Sequence, residues 1–281
     1  MGQWATVLAR NGVAALVFDQ RGAGASTGDG AAETGEDRVE DVRAALDWAR
    51  TRPEVDGRRV GVLSYSAGGW VAPLAIAGRD HIVFWVSLAG PAEGLGPQQG
   101  HVTTALMPAA APDGPDYTDA EYDAAYRYQT ALVDLARSGA SWPAFEAANE
   151  TARAARWAEH ALIPDSLDHP DLDYYRRRAA FDGVDGALRR VHAPTFAVYG
   201  GADVIVPPSE NVPRLRARFR EAGNEALTVL VLDGGDHGLG RPGGPSGDGA
   251  WPEAYVRQWA RPGALFTTVV AWTLARVAGA P

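Results

Sequence analysis

Three residue types in this sequence are able to carry out hydroxyl-based nucleophilic chemistry, and each stands at the end of an apolar run. Ser66 lies in Gly61-Val62-Leu63-Ser64-Tyr65-Ser66-Ala67-Gly68-Gly69, where an apolar strand runs into a serine with small neighbours. An apolar helix follows at once, so the N–H groups at its head, that of Ala67 included, are available to an oxyanion. His237 lies in Leu232-Asp233-Gly234-Gly235-Asp236-His237-Gly238, and Asp203 in Tyr199-Gly200-Gly201-Ala202-Asp203-Val204-Ile205-Val206-Pro207. An imidazole can take the proton of a serine, and a carboxylate can orient that imidazole. Each residue also has a plainer reading. Ser66 is then a capping serine, Asp203 a turn or helix-capping aspartate, and His237 a solvated loop residue. Asp233 and Asp236 are rival carboxylates because they neighbour His237 in sequence.

The elements that must position these residues follow from periodicity. Strands are expected over Val13–Phe18, Val60–Ser64, Ile82–Leu88, Thr195–Tyr199 and Leu227–Leu232. Helices are expected near Gln3–Asn11, Glu36–Arg52, Ala67–Ala77, Val212–Ala222 and Leu265–Val277, with Gly12 stopping the first. Alternating strands and helices imply an α/β fold with a mainly parallel sheet, whose ligands bind beyond the carboxyl ends of the strands. Residues 92–190 break this alternation and hold no convincing strand. Thr118 and Glu121 form a capping box for a helix reaching about Ser138, Ser141 can cap a second, and Tyr174–Ala180 suggests a third. The expected division is a core of residues 1–91 and 191–281 with a helical cap insertion at 92–190. Gly238–Gly249 reads as a loop dense in Gly and Pro.

The Ser66 segment resembles the nucleophile elbow of the α/β-hydrolase superfamily, with Ser64 in the first glycine position of the Gly-x-Ser-x-Gly pattern. The Asp203 segment matches the family's Gly-x-x-Asp-x-x-Val-Pro loop at Gly200, Asp203, Val206 and Pro207. His237 follows the last strand, giving the chain order Ser…Asp…His. Asp19-Gln20-Arg21-Gly22-Ala23-Gly24-Ala25-Ser26 resembles the family's Asp-x-Arg-Gly-x-Gly-x-Ser turn, which has a structural role. The chain is thus similar to serine hydrolases of the dienelactone hydrolase and serine aminopeptidase-like esterase branch. The resemblance implies Ser66 as nucleophile, His237 as base, Asp203 as acid and the Ala67 N–H as one oxyanion donor, with no cofactor and no metal. It implies cleavage of a small carboxylic ester or related acyl substrate. Peptidase and acyltransferase chemistry use the same triad, and a non-catalytic binding protein is the contrasting class. Aspartate-based dehalogenase chemistry would need Asp at position 66.

The resemblance also implies an N-terminally truncated core. In the family the Asp-x-Arg-Gly turn follows the fourth of eight strands, in the sheet order 1-2-4-3-5-6-7-8. Only residues 1–12 precede the matching strand here. Strands one to three, and the loop that supplies the second oxyanion donor, are expected to be absent. Strand four then either pairs directly with strand five or leaves an open edge.

Composition narrows the rest. The 281 residues include no Cys and no Lys, which excludes disulfides, thiolate catalysis and Schiff-base lysine chemistry. A net charge of −9 argues against nucleic acid and anionic membrane surfaces as partners. No apolar run approaches the roughly 18 residues that span a bilayer, and residues 1–10 do not read as a signal peptide, so a cytoplasmic location is the default expectation. His81, His101, His160, His169 and His192 show no metal-ligand spacing. Arg176-Arg177-Arg178 is either a carboxylate clamp or a solvated helix face. Tyr122, Tyr126, Trp142 and Trp157 are either an acyl pocket or the insertion's own core.

Overall fold

The computed structural model describes residues 2–107, 116–240 and 263–279. The chain divides into two compact units, residues 1–92 with 183–281, and residues 93–182.

The first unit is built on four parallel strands in the order β1 (Val60–Tyr65), β2 (Ile82–Leu88), β3 (Thr195–Gly200) and β4 (Leu227–Leu232). β2 and β3 are the interior strands, and their runs Ile82-Val83-Phe84-Trp85-Val86-Ser87-Leu88 and Thr195–Gly200 are almost wholly buried. Such near-continuous apolar runs suit strands covered on both faces. Val86, Leu88, Phe196 and Val198 form the centre of the core. Burying each such side chain contributes about 1.5–3 kcal/mol.

The helices of this unit are α1 (Gly2–Arg10), α2 (Gly35–Arg50), α3 (Gly68–Ile76), α8 (Val184–Leu188), α9 (Pro208–Glu221) and α10 (Gly263–Ala278). Thr34 caps α2 through a reciprocal capping box with Asp37, whose carboxyl the Thr34 backbone N–H holds below its usual range. α3 is apolar all round, and seven of its nine residues are buried. It packs against β1, β2, α2 and α8. Trp4 of α1 packs on Phe266 of α10, with ring centroids 4.5 Å apart and planes tilted by 42°. Residues 184–188, placed in the insertion by the sequence, pack on α3 and α9 and belong to this first unit.

One expected strand does not form. Residues 13–20 form neither helix nor strand, lie outside the sheet, and are exposed except for the half-buried Val13. They do not pair with β1, so β1 is the sheet's edge among the described residues. A groove of about 760 Å³ separates the two segments, lined by Leu16, Phe18, Val62 and Leu63 with Val42 and Leu46 of α2. The turn that follows forms nonetheless, because its bonds are internal or reach α2. Ser26 Oγ donates to the Asp19 carbonyl at 2.7 Å and Ala25 N–H to Asp19 Oδ2 at 3.2 Å. Arg21 grips Asp41 with Nε and Nη2, both at 2.8 Å, and reaches Asp37 at 2.8 Å. This bidentate clamp gives the turn its structural role.

The second unit contains α4 (Leu95–Leu106), α5 (Asp119–Arg137), α6 (Trp142–Arg153) and α7 (Pro170–Arg177), with no strand among its described residues. The capping box at Thr118 and Glu121 forms, as the sequence indicates. α4 was not legible, because Gly96, Gly100 and two threonines dilute its pattern. Gly100 is there for close approach: a Cβ would lie 2.5 Å from the Tyr126 ring of α5. Trp157 packs on Tyr128 and Trp142 stacks on Phe145, so both tryptophans serve this unit's own core. Arg177 pairs with Asp173, and Arg176 donates to the Leu167 carbonyl. Beyond Gly240, the loop expected over Gly238–Gly249 lies outside the described residues.

Candidate active site

The site grows from three loops at the carboxyl ends of β1, β3 and β4. The first is the turn from β1 to α3. Ser66 sits at φ +51°, the left-handed region that a non-glycine residue adopts at a cost of about 1–3 kcal/mol. Two backbone bonds hold it there: Ser66 N–H donates to the Leu88 carbonyl at 2.9 Å, and Gly69 N–H to the Ser66 carbonyl at 2.7 Å. Ala67 is the N-cap of α3, so its N–H makes no intrahelical bond.

Ser64, which replaces the usual glycine, has a specific job. It is buried, and its Oγ accepts the indole N–H of Trp85 at 2.9 Å. Trp85 is 1% exposed, so this hydroxyl is what satisfies its donor.

The second loop follows β3. Asp203 is 3% exposed. Its Oδ1 accepts the backbone N–H groups of Ile205 and Val206, each at 2.9 Å, in an Asx-type turn. Val206 is buried, and Pro207 caps α9, so the Val-Pro ending locks the loop to the helix that follows.

The third loop follows β4 and lies against the second. Gly200 permits this, since a Cβ there would fall 2.2 Å from the Asp236 carbonyl oxygen. Ala202 N–H donates to the Gly235 carbonyl at 2.8 Å. His237 projects from this loop, 8% exposed. Its Nδ1 is 2.9 Å from Asp203 Oδ2 and its Nε2 is 2.9 Å from Ser66 Oγ.

The rival carboxylates are elsewhere. Asp236 Oδ1 accepts the Gly240 N–H at 2.9 Å and closes the loop's own turn. Of these carboxylates it is Asp203, and not Asp233, that bonds the imidazole among the described residues. Ser66, His237 and Asp203 therefore form one continuous hydrogen-bonded row, beside the N-terminus of α3. That row can move a proton from a hydroxyl to an imidazole held by a buried carboxylate.

Sequence reasoning missed two supports of this site. Asn211 on α9 is fully buried, with Oδ1 accepting the Ala92 N–H at 2.7 Å and Nδ2 donating to the Pro207 carbonyl at 3.0 Å. Tyr199 O–H donates to the Gly90 carbonyl at 3.0 Å. Together they hold the turn after β2, where Ala89 is buried at φ +46°. Nothing in the sequence distinguishes Asn211 from an ordinary polar helix residue. Among the described residues, no group of three or more His, Cys, Asp or Glu is placed to hold a metal ion. No helix among them is long and apolar enough to cross a membrane.

Comparison with known proteins extends this local picture to the whole chain. Est1E from Butyrivibrio proteoclasticus, solved with ferulic acid bound, superposes with a TM-score of 0.55 at 18% identity, covering 98% of this chain and 82% of that one. An esterase of Pyrococcus furiosus gives a TM-score of 0.52 at 19% identity, covering 97% and 73%. A monoacylglycerol lipase of Paleococcus ferrophilus gives 0.51 at 18% identity, covering 98% and 88%. No curated relative matches the chain. These likenesses show the fold, an α/β-hydrolase sheet, as the four sequence motifs implied. The family model of the X-Pro dipeptidyl-peptidase (S15 family) matches residues 2–238, which takes in Ser66, Asp203 and His237. The chain is an α/β-hydrolase and belongs to the X-Pro dipeptidyl-peptidase (S15) family.

Proposed function

We propose that this protein is a serine hydrolase that cleaves a small carboxylic ester, or a related acyl compound, through an acyl-enzyme on Ser66. The observation that carries the reading is the unbroken row Ser66–His237–Asp203, with both contacts at 2.9 Å and the serine on a strained elbow. His237 Nε2 takes the proton of Ser66 as Oγ attacks the acyl carbon. The Asp203 carboxylate orients the imidazole and stabilises its cation. The Ala67 N–H at the head of α3 faces the developing oxyanion as one donor. The protonated imidazole then passes its proton to the leaving group, and a water activated by His237 releases the acid.

Esters are the first choice because the structural neighbours named above are esterases and a lipase. The family's name favours a second reading, an amide after an X-Pro dipeptide, with the same triad. Turnover of p-nitrophenyl acetate and of an X-Pro p-nitroanilide, each by wild type and Ser66→Ala, tests both. Ester turnover that disappears in Ser66→Ala supports the first reading. Anilide turnover alone, equally lost, selects the second. Wild-type turnover of either that survives in Ser66→Ala contradicts the nucleophile.

A further inference from the structure

His237 stands in a segment with glycines at 234, 235 and 238, whose backbone has more freedom than other residues allow. A base held only by its ring would share that freedom, and catalytic geometry tolerates errors well under 1 Å. The backbone of His237 has an anchor outside its loop. Tyr65 O–H donates to the His237 carbonyl at 3.1 Å. The Tyr65 ring also lies against the imidazole, with centroids 5.5 Å apart and planes inclined by 41°.

Tyr65 is well placed to give rigidity. It is the last residue of β1, paired with Leu88 of β2, and it directly precedes Ser66. Nucleophile and base are thus joined twice through adjacent residues: Ser66 Oγ to the imidazole, and Tyr65 O–H to the backbone that carries it. Asp203 fixes the far side of the ring.

We propose that Tyr65 is a positioning residue, whose phenol holds the His237 backbone so that the imidazole stays in line between Ser66 and Asp203. This rests on the serine-hydrolase reading above. Removing the O–H frees the carbonyl, loosens the imidazole from Asp203 and weakens the stabilisation of its cation. kcat falls, because the proton of Ser66 and the proton given to the leaving group both pass through this imidazole. KM is not involved, because Tyr65 acts through His237.

The test uses the full chain and p-nitrophenyl acetate. Tyr65→Phe keeps the ring and loses one hydrogen bond, so kcat falls about fivefold to tenfold and KM stays within about twofold. The rate of fluorophosphonate labelling falls in step. A second variant carries at position 65 a difluorotyrosine whose phenol ionises near neutral pH. Its shape is that of tyrosine, yet the phenolate cannot donate to a carbonyl. It gains a falling limb of kcat/KM at basic pH that the wild type lacks. This variant decides the matter if Tyr65→Phe does not fold. A folded Tyr65→Phe enzyme with kcat within about twofold of wild type, or with its loss in KM rather than in kcat, overturns the role. A difluorotyrosine enzyme without the new limb does the same. A wild type that neither turns over the ester nor takes the label contradicts the serine-hydrolase reading instead.

Discussion

The two edges of β1 have opposite fates. On one, five residues from Val60 to Tyr65 pair with β2, across a register shift between Val60 and Val62, and the strand delivers Ser66 to the site. On the other, Val13–Phe18 has the composition of a strand and forms none. Leu16, Val17 and Phe18 are 48%, 54% and 44% exposed. An apolar run becomes a strand only when a neighbour takes up its N–H and C=O groups and a helix or sheet covers its side chains. Ile82–Leu88 has a paired strand on both sides, and residues 13–18 pair with no strand among the described residues. Of the two outcomes expected from the sequence, direct pairing or an open edge, the described residues have the open edge.

The contrast predicts where substitutions are felt. The largest effects belong to the loops that the paired strands present. Asp203→Asn lowers kcat by about 10³–10⁴, since the imidazole loses its charged partner and its correct tautomer. Asp236→Asn keeps the oxygen that accepts the Gly240 N–H and stays within about threefold of wild type. Steady-state kinetics on both variants decide between the carboxylates, and a reversed order would move the acid to Asp236.

Next is a substitution that restores the common motif. Ser64→Gly recreates Gly-x-Ser-x-Gly but orphans the buried Trp85 indole N–H, so it costs about 1–3 kcal/mol in a denaturant melt. A more stable Ser64→Gly protein would show that the hydroxyl is incidental. The comparison itself is tested by a pair of valines. Val86→Ala, in the fully buried centre of β2, costs about 2 kcal/mol. Val17→Ser, in the unpaired segment, changes stability by less than about 0.5 kcal/mol. Equal losses would mean that residues 13–18 are packed in solution.

Much of the site was legible, and for a physical reason. A nucleophile elbow, an Asx turn ending in Val-Pro and a histidine after the last strand are local devices, each written in a few adjacent residues. The Asp-x-Arg-Gly turn was legible in the same way, and it forms even though the strand before it does not. What the sequence hid is non-local. The open edge depends on what lies beside residues 13–18 in space, which their own composition does not encode. The Ser64–Trp85 bond spans 21 positions, and the Asn211–Ala92 bond spans 119. The helix over Leu95–Leu106 was missed because the glycines that break its pattern are the ones that let it lie close to Tyr126 and Thr130. The assignment of residues 184–188 also turned on packing, since a five-residue helix has no pattern that shows which unit it joins.

The central claim is that Ser66 is a nucleophile activated by His237. It is tested most directly by treating the folded protein with a fluorophosphonate and mapping the adduct by peptide mass spectrometry. One adduct is expected, on Ser66, absent in Ser66→Ala and formed far more slowly in His237→Ala. An adduct on another residue, or labelling of Ser66 at the same rate without His237, would contradict it.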